Sequence, residues 1–256
     1  MATPKVSVTI PVYNLRELVV RALDSIPRRH DLEVIVCDDA STDGTWDALE
    51  RYVIEHPDLN IKLIRNDTNR GVGFTRNRMF DACTGLYVTG LDADDQYITD
   101  AWEDAMCHIT DEDIVYIDGI ANNGWYVGLN ETTRLTYGAI WNKFIKRSFL
   151  NNERCPETNW AEDKAINKAL QAKPHIDKFT HILAYRYNHP REGSLCWMEN
   201  HRQEYQVFVL NFQIQHLIRS SKHSPCPPRP GTQEENNYDA QFTDGEVEVH
   251  DMQPFV

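Results

Sequence analysis

The first 118 residues alternate between strand-like and helix-like patterns, and this alternation limits the possible folds more than any other feature of the chain. Short runs rich in β-branched residues are separated by segments whose apolar residues recur every three or four positions. The predicted strands span residues 6–10, 32–37, 61–64, 86–91 and 113–117, and the predicted helices span residues 15–26, 45–55, 72–83 and 99–109. Such alternation predicts an α/β protein with a single, mostly parallel, twisted sheet and helices on both of its faces.

The pattern changes after Gly119. A turn signal at residues 122–124, followed directly by Trp125, predicts a hairpin. The remaining patterns predict a strand and a short helix at residues 141–150, a helix at 161–172, a strand at 181–187 and a long amphipathic helix at 197–218. We therefore predict one domain over residues 1–221, followed by a Pro-rich acidic tail over residues 222–256.

Composition argues against several functions. The chain carries 26 Lys and Arg residues against 39 Asp and Glu residues, a net charge of −13, whereas nucleic-acid readers usually present a basic face. No apolar run approaches the roughly 20 residues that span a bilayer, and the first residues lack a signal-peptide pattern. The six cysteines lack zinc-site spacing, which predicts reduced thiols and a cytoplasmic protein. We expect no nucleic-acid partner and no transmembrane segment.

Four polar clusters follow predicted strands at their carboxyl ends. They occupy residues 11–14, 38–41, 66–70 and 92–95. Because ligands bind at this edge of an open α/β sheet, the four clusters together predict one binding site. Each cluster alone also fits an ordinary turn or a helix cap. The candidate caps are Thr42 or Asp43 for the second helix and Thr99 or Asp100 for the fourth.

The last of these clusters contains three carboxylates within four residues, those of Asp92, Asp94 and Asp95. Adjacent carboxylates repel one another, and a helix cap needs only one of them. A hard divalent cation removes this repulsion, and Mg²⁺ typically binds one or two carboxylates together with substrate phosphates. The cluster therefore predicts a Mn²⁺ or Mg²⁺ site that holds a diphosphate in an otherwise acidic protein. The alternative is a solvated acidic loop.

Two other motif interpretations are weaker. Gly71-Val72-Gly73 at the start of a helix is similar to a dinucleotide fingerprint, but Arg76 stands where the third glycine is required. Asp38-Asp39 after a buried strand is similar to the acidic pair of a phosphoacceptor receiver domain. A receiver, however, carries that pair after its first strand.

Eight short motifs follow one another in a characteristic order. They are VSVTIPVYN (6–14), VCDDASTDGT (36–45), NRGVGFTRN (69–77), LDADD (91–95), WNKF (141–144), RCPE (154–157), AED (161–163) and YRY (185–187). In this order they resemble glycosyltransferase family 2, inverting nucleotide-sugar transferases with a GT-A fold. The resemblance implies that residues 1–118 bind the nucleotide sugar and that residues 119–221 bind the acceptor and carry the catalytic residue. The compact chain is also similar to capsid-modifying transferase domains of large algal viruses, which implies the host cytoplasm as its location.

The resemblance implies roles for individual residues. The implied nucleotide-sugar-binding residues are Pro11, Tyr13, Asn14, Asp39, Arg76, Asp92, Ala93 and Asp94. The implied metal ligands are Asp94, Asp95 and His189. The four-residue form of the acidic motif leaves the ligand assignment open, and a surface-loop histidine is the alternative for His189. Asp163 is the implied general base, and Trp160 and Glu162 are the implied acceptor-binding residues. The alternative is that Glu162 and Asp163 are only first-turn acids favoured by the helix dipole.

These roles imply a metal-dependent inverting enzyme that moves one sugar from a nucleotide-diphosphate donor, a UDP-sugar, to an acceptor hydroxyl on a glycan or glycoprotein. A degenerate nucleotide-sugar-binding or scaffold protein on the same fold is the alternative from another class. A nucleotidyltransferase is a second enzymatic alternative. The chain lacks a Gln-x-x-Arg-Trp motif after these segments, which argues against a processive polysaccharide synthase.

Overall fold

The computed structural model describes residues 3–135, 138–158, 161–189 and 191. Within these ranges, nine strands form one sheet. The strands are β1 (Val6–Val12), β2 (Leu32–Asp38), β3 (Ile61–Arg65), β4 (Tyr87–Gly90), β5 (Gln96–Tyr97), β6 (Ile114–Ala121), β7 (Tyr126–Val127), β8 (Lys143–Lys146) and β9 (Asp177–Tyr187). The helices are α1 (Arg16–Asp24), α2 (Thr45–Glu55), α3 (Val72–Ala82), α4 (Thr99–Cys107), α5 (Arg147–Leu150) and α6 (Glu162–Gln171). A 3₁₀ turn covers Thr133–Leu135.

The sheet is mixed but mostly parallel. Its strand order is β3-β2-β1-β4-β8-β6-β9-β5, and β7 pairs with β6 beside this path. β1 pairs in parallel with β2 and β4, β2 with β3, and β6 with β9. Because β8 is antiparallel to both β4 and β6, all the strands of these parallel pairs run in one direction. β5 and β7 are antiparallel additions. The prediction of a mostly parallel sheet is confirmed.

The strand order explains why helices cover both faces. From β1 the chain moves through α1 to β2 and through α2 to β3, whereas α3 leads it back to β4 on the other side of β1. Because parallel crossovers are right-handed, this reversal puts α3 on the face opposite to α1 and α2. The packing agrees, since α1 contacts α2, and α3 contacts β1, β2 and α6. The reversal between β1 and β4 is the switch point at which α/β proteins bind ligands.

The centre of the hydrophobic core is formed by β1 and β2. Every residue of β2 is buried, and in β1 only Pro11 is partly exposed. Strands covered by helices on both faces bury side chains on both sides, which is why residues 32–37 form a continuous apolar run. The side chains of β3, at the end of the strand order, are half-buried or exposed.

Strand boundaries differ from prediction where the backbone is irregular. β1 continues through Pro11, which pairs with Cys37, to Val12. β9 begins at Asp177 rather than at residue 181, and its pairing with β6 shifts register near His181, whose φ is +55°. Such a shift is typical of a β-bulge, which hides the alternating pattern of a longer strand. The predicted hairpin is confirmed by the antiparallel pairing of β6 and β7.

The predicted helix caps are wrong for α4 and only partly right for α2, where Asp43 binds the first backbone N of the helix. Gly44 occupies the cap position of α2 with φ at +86°, Ile98 occupies that of α4, and neither of these two residues makes a side-chain cap hydrogen bond. The left-handed cap position of α2 suits glycine, because glycine lacks a Cβ. Asp43 instead accepts hydrogen bonds from the backbone N of Thr45 (3.0 Å) and from its hydroxyl (2.5 Å).

The cysteines only partly follow the prediction of reduced thiols. Cys37, Cys83 and Cys155 are free and buried, and burial raises the pKa of each thiol to about 12. Cys107 is disulfide-bonded, so the prediction is wrong at this residue. The cytoplasmic location, which depended on it, stays a prediction. Within the described ranges, no helix is long and apolar enough to cross a bilayer.

Two predicted segments lie outside the described residues. They are the long helix at 197–218 and the acidic tail at 222–256. The division into a domain over residues 1–221, with halves at 1–118 and 119–221, and a separate tail therefore stays a prediction.

Candidate active site

Asn14 joins the loop after β1 to the loop after β2. Its backbone N donates to the hydroxyl of Ser41 (2.8 Å), and its Oδ1 accepts a hydrogen bond from the backbone N of Thr42 (2.8 Å). Its φ of +52° lies in the left-handed region, which asparagine adopts more readily than most residues. The preceding Tyr13 is 46 % exposed, so its ring is open to a ligand. The first and second polar clusters are therefore in contact.

Asp39 holds the loop between β3 and α3. Its side chain is buried, and its Oδ1 accepts hydrogen bonds from Asn66 Nδ2 (2.7 Å) and from the backbone N of Arg70 (2.8 Å). Its Oδ2 accepts one from the backbone N of Gly71 (2.7 Å). An ionised carboxylate has about four acceptor positions, so these contacts leave roughly one for a ligand. The second and third clusters are thus also in contact.

Arg76, on α3, joins the acidic loop after β4 to the start of α6. Its buried guanidinium donates from Nη2 to Asp92 Oδ1 (2.9 Å) and from Nε to Glu162 Oε1 (3.1 Å). Burial disfavours the charge, but the carboxylates of Asp92 and Glu162 outweigh burial and raise the pKa of Arg76. Glu162 is itself only 6 % exposed. Its contacts therefore do not support the predicted place at the acceptor.

Asp95 anchors the acidic loop to the end of β9. It is 1 % exposed, and its Oδ2 accepts a hydrogen bond from the Tyr185 hydroxyl (2.6 Å), while its Oδ1 accepts one from the backbone N of Asn188 (2.7 Å). The same Tyr185 hydroxyl accepts a hydrogen bond from the backbone N of Asp92 (3.2 Å). Burial and the neighbouring carboxylates of Asp94 and Asp92 raise the pKa of Asp95 well above its usual value. This geometry favours an anchoring role for Asp95 over the predicted metal binding.

Asp92 and Asp94 are the more accessible carboxylates of this loop, and Ala93 between them is buried. Their side chains are 30 % and 16 % exposed. Arg76 binds Oδ1 of Asp92, and Arg191 donates from Nε to Oδ2 of Asp94 (2.7 Å), so each carboxylate keeps a second oxygen. Burial and Asp92 raise the pKa of Asp94, and Arg191 opposes this shift.

Two accessible carboxylates fit the requirements of Mg²⁺ or Mn²⁺. Mg²⁺ usually binds through one or two carboxylates and completes its coordination with substrate phosphates and water. Within the described residues, no group of three or more His, Cys, Asp or Glu side chains is arranged to hold a metal ion. The free carboxylate oxygens of Asp92 and Asp94 match the ligand type of a hard ion that binds together with a diphosphate.

His189, the third predicted ligand, lies in a row of aromatic side chains. Its ring stacks on Tyr187 (5.1 Å between centroids) and meets Trp125 edge-on (6.3 Å). Burial lowers its pKa, and its Nδ1 is buried without a hydrogen-bond partner among the described residues. A neutral imidazole is the form that binds metals, but no described contact joins this ring to Asp94. Its metal role stays a prediction.

Asp163 lies in the first turn of α6 and is half-buried. Its Oδ1 accepts a hydrogen bond from the backbone N of Lys164 (2.7 Å). Ala161, directly before the helix, has a φ of +54°. Trp160, the predicted aromatic residue on the acceptor side, lies outside the described residues.

The segment that leads into α6 is fixed against α3. The Asn77 side chain exchanges two hydrogen bonds with the backbone of Cys155, both of 2.8 Å. The backbone N of Gly73 donates to Thr158 O (3.2 Å), and a Cβ at Gly73 would lie 2.0 Å from Pro156 O. Only glycine permits this close approach. The contacts hold the start of α6 near Arg76.

Lys143, on β8, is a buried lysine behind α6. Its Nζ donates to Asn167 Oδ1 (2.7 Å) and lies 5.4 Å from the centre of the Tyr116 ring. Asn167 follows Asp163 by four residues, so the two side chains lie on the same face of the helix. Burial lowers the pKa of Lys143 to about 7, although Asp163 and Asp177 oppose the shift.

We expect Lys143 to make the free energy of unfolding increase as the pH rises above 7. Its pKa is lowered in the fold from the ordinary value of 10.5, so the unfolded chain binds the extra proton between these limits and favours unfolding at the lower pH. The effect is on the order of a few kcal/mol, since one pKa unit corresponds to about 1.4 kcal/mol. Urea unfolding of the wild-type protein at pH 7 and at about pH 10 measures the increase.

The Lys143→Met variant lacks the titrating group, so its unfolding free energy should change less over the same pH range. Lys146→Met, at the end of the same strand where the side chain is 26 % exposed, is the matched control and should behave like the wild-type protein. An equal increase in Lys143→Met and in the wild-type protein would contradict the assignment.

Sequence reasoning gave no role to several residues that organise the site. Tyr185 and Lys143 lie within the YRY and WNKF motifs, so the motifs pointed to their positions without revealing their partners. Arg191 carries no local signal, because its contact with Asp94 spans 97 positions. Asn66 belongs to the third polar cluster, but its hydrogen bond to Asp39 could not be read from the sequence.

Together the contacts define a class of protein. Hydrogen bonds join the polar clusters after β1, β2 and β3, and Arg76 connects α3 to the acidic loop after β4. They meet at the switch point of a mostly parallel sheet, where α/β proteins bind nucleotides. The fold and the site therefore define an α/β protein of the nucleotide-binding type, with two accessible carboxylates at the same edge of the sheet.

The family follows from comparison with known sequences. The family model described as glycosyl transferase family 2 matches residues 7–168, which is more than half of the chain. The protein belongs to glycosyl transferase family 2. The chondroitin synthase of Escherichia coli is 27 % identical over 239 residues, covering 87 % of this chain and 34 % of that protein.

Solved structures confirm the GT-A fold. The TarS 1–349 structure of S. aureus in complex with UDP-GlcNAc is 26 % identical, has a TM-score of 0.65, and is matched over 74 % of this chain and 60 % of that chain. The mannosyltransferase PcManGT of Pyrobaculum calidifontis, in complex with GDP-Man and Mn²⁺, has a TM-score of 0.62 at 23 % identity, over 77 % and 60 % of the two chains. This chain thus spans about a third of its curated relative and 60 % of each structure. The similarity to viral transferases stays a prediction.

Proposed function

We propose that this protein is an inverting glycosyltransferase that moves one sugar from a UDP-sugar to a hydroxyl group of a glycan or glycoprotein, with Mn²⁺ or Mg²⁺ as its cofactor. The observation that carries the proposal is the pair of hydrogen bonds from Arg76 to Asp92 and Glu162. They join the loop that contains Asp94 to the helix start that contains Asp163. Sugar transfer needs a leaving-group site and a base close together.

The nucleotide part of the proposal depends on Asp39, Tyr13 and Pro11. The acceptor position that remains on the Asp39 carboxylate suits an N–H group of a base such as uracil. Tyr13 is exposed and Pro11 half-buried, so both offer surface to the base. The 26 %-identical relative that was solved with UDP-GlcNAc supports uridine as the base.

The metal part of the proposal depends on Asp94 and Asp92, whose second oxygens would hold the ion. A divalent ion bound there with a diphosphate would stabilise the negative charge of the leaving group as a Lewis acid. The Mn²⁺ in the mannosyltransferase of the same fold is consistent with this choice of ion.

Asp163 is the proposed general base. The acceptor oxygen forms a bond to the anomeric carbon while the bond from that carbon to the diphosphate oxygen breaks. The hydroxyl proton passes to the Asp163 carboxylate. Attack from the face opposite to the diphosphate inverts the anomeric carbon, and a positioned base contributes about 10²–10⁴-fold to such a step.

A panel of nucleotide sugars tests the proposal. UDP-GlcNAc, UDP-GalNAc, UDP-Glc, UDP-GlcA and GDP-Man are incubated with the protein and Mn²⁺, with and without chondroitin or chitin oligosaccharides. We expect nucleotide release from at least one UDP-sugar, abolished by EDTA, and a product with inverted anomeric configuration by NMR. UDP binding without turnover of any donor would contradict the proposal and favour a nucleotide-sugar-binding protein.

A further inference from the structure

The guanidinium of Arg76 contacts two carboxylates that belong to different parts of the site. One belongs to Asp92, two residues before the proposed metal ligand Asp94, and the other belongs to Glu162, directly before the proposed base Asp163. Because the guanidinium is planar and rigid, it sets the separation of the two carboxylates.

Burial argues that Arg76 and Glu162 do not themselves contact a substrate. Their side chains are 7 % and 8 % exposed, and each points its charged group at the other. Buried ion pairs are often no more stabilising than apolar residues of similar volume, so fold stability alone does not explain this group of charges. A requirement for fixed geometry does explain it.

The surrounding contacts point to the same role. Gly73 lies three residues before Arg76 on α3, and its backbone N binds Thr158 O (3.2 Å) in the segment that leads into α6. The close approach of Gly73 to Pro156 leaves no room for a Cβ. α3 is therefore a rigid support from which Arg76 reaches both the acidic loop and the first residue of α6.

We propose that Arg76 and Glu162 are positioning residues, which hold the Asp163 carboxylate at a fixed distance from the acidic loop so that base and donor are aligned. This inference rests on the proposed function. It gives Glu162 a role in holding the base instead of binding the acceptor.

Hydrolysis of a UDP-sugar distinguishes a residue that holds the base from a residue that binds the acceptor, because water takes the place of the acceptor. The probe is UDP-GlcNAc or whichever UDP-sugar the panel identifies. In Glu162→Gln the neutral amide loses the ion pair that holds the start of α6 to Arg76. We expect kcat for hydrolysis to fall by about 10²-fold, since a misplacement of about 1 Å costs this much. The KM for the donor and the Kd for UDP with Mn²⁺ should change less than about threefold, because Glu162 does not touch the donor. Arg76→Lys should also lower kcat, since one ammonium group cannot replace the planar fork.

Glu55→Gln is the matched control, because Glu55 is exposed at the end of α2 and lies outside the polar clusters of the site. Its hydrolysis rate should equal that of the wild-type protein. An unchanged kcat in Glu162→Gln would overturn the positioning role while the proposed function stands. A wild-type protein that binds UDP and Mn²⁺ but hydrolyses no donor would instead contradict the proposed function.

A double variant covers the case in which Glu162→Gln does not fold. Arg76→Met with Glu162→Leu removes both buried charges and keeps an apolar volume, a replacement that buried ion pairs often tolerate. Because Asp92 also loses its partner, the Kd for UDP with Mn²⁺ is measured in parallel. We expect this variant to melt cooperatively, to bind UDP with Mn²⁺ and to lose hydrolysis. Full activity in the folded double variant would overturn the inference.

Discussion

Replacing Asp163 with asparagine should lower the rate of sugar transfer by about 10²–10⁴-fold, which is the usual contribution of a positioned general base. Asparagine keeps the shape of the side chain and the hydrogen bond that Asp163 accepts from the backbone N of Lys164, but it cannot take up the hydroxyl proton. Initial rates of nucleotide release measure the loss. Because Asp163 is not part of the acidic loop, calorimetry should find the Kd for UDP with Mn²⁺ unchanged.

A matched control distinguishes the loss of the base at Asp163 from the general effect of removing one negative charge. Asp104→Asn removes a carboxylate from α4 that is 39 % exposed, and this variant should transfer sugar at the wild-type rate. Two results would rule out Asp163 as the base. One is an Asp163→Asn variant that keeps most of its rate, and the other is a product that retains the anomeric configuration of the donor.

The parallel part of the fold was predictable because burial on both faces leaves a simple pattern. β2 is buried along its whole length, so it forms an uninterrupted apolar run. α1 and α2 show apolar residues at helical spacing because each buries one face only. These local patterns, together with the handedness of crossovers, were enough for the order of elements and the class of sheet.

Features decided by distant contacts were not predictable in the same way. β5 comprises only Gln96 and Tyr97, and it exists because these residues pair with Arg186 and Tyr185 of β9. The cap of α2 depends on the left-handed backbone of Gly44, which side-chain preferences for Thr42 or Asp43 do not reveal. In both cases the local sequence allows several structures, and tertiary contacts select one.

In the acidic loop, too, local sequence predicts one part of the structure and distant contacts decide the rest. The sequence alone does not distinguish the carboxylates of Asp92, Asp94 and Asp95. Repulsion among them indicates only that a bound cation would stabilise the loop. In the structure they differ by contact, because Asp95 binds the Tyr185 hydroxyl and the backbone N of Asn188 while Asp92 and Asp94 bind arginines. Residue types therefore indicated the chemistry, whereas the contacts that distinguish the three side chains come from partners 16 to 97 positions away.

Asp94→Asn should remove the part of the UDP affinity that depends on Mn²⁺. Asparagine can still accept the hydrogen bond from Arg191, but it lacks the charge that a hard divalent ion requires. We expect the Kd for UDP in the presence of Mn²⁺ to rise at least about tenfold, or about 1.4 kcal/mol, and to become nearly independent of the metal. Isothermal titration calorimetry with Mn²⁺ and with EDTA measures both values.

Asp95→Asn provides the decisive comparison, because it makes the same carboxylate-to-amide change at the adjacent residue. The buried carboxylate of Asp95 accepts two hydrogen bonds, and an amide at this position leaves one of those donors without an acceptor. The variant should therefore have a lower melting temperature, while the remaining folded protein binds UDP in a metal-dependent way. If Asp95→Asn abolished the metal dependence and Asp94→Asn preserved it, Asp95 would be the ligand and Asp94 the partner of Arg191 only.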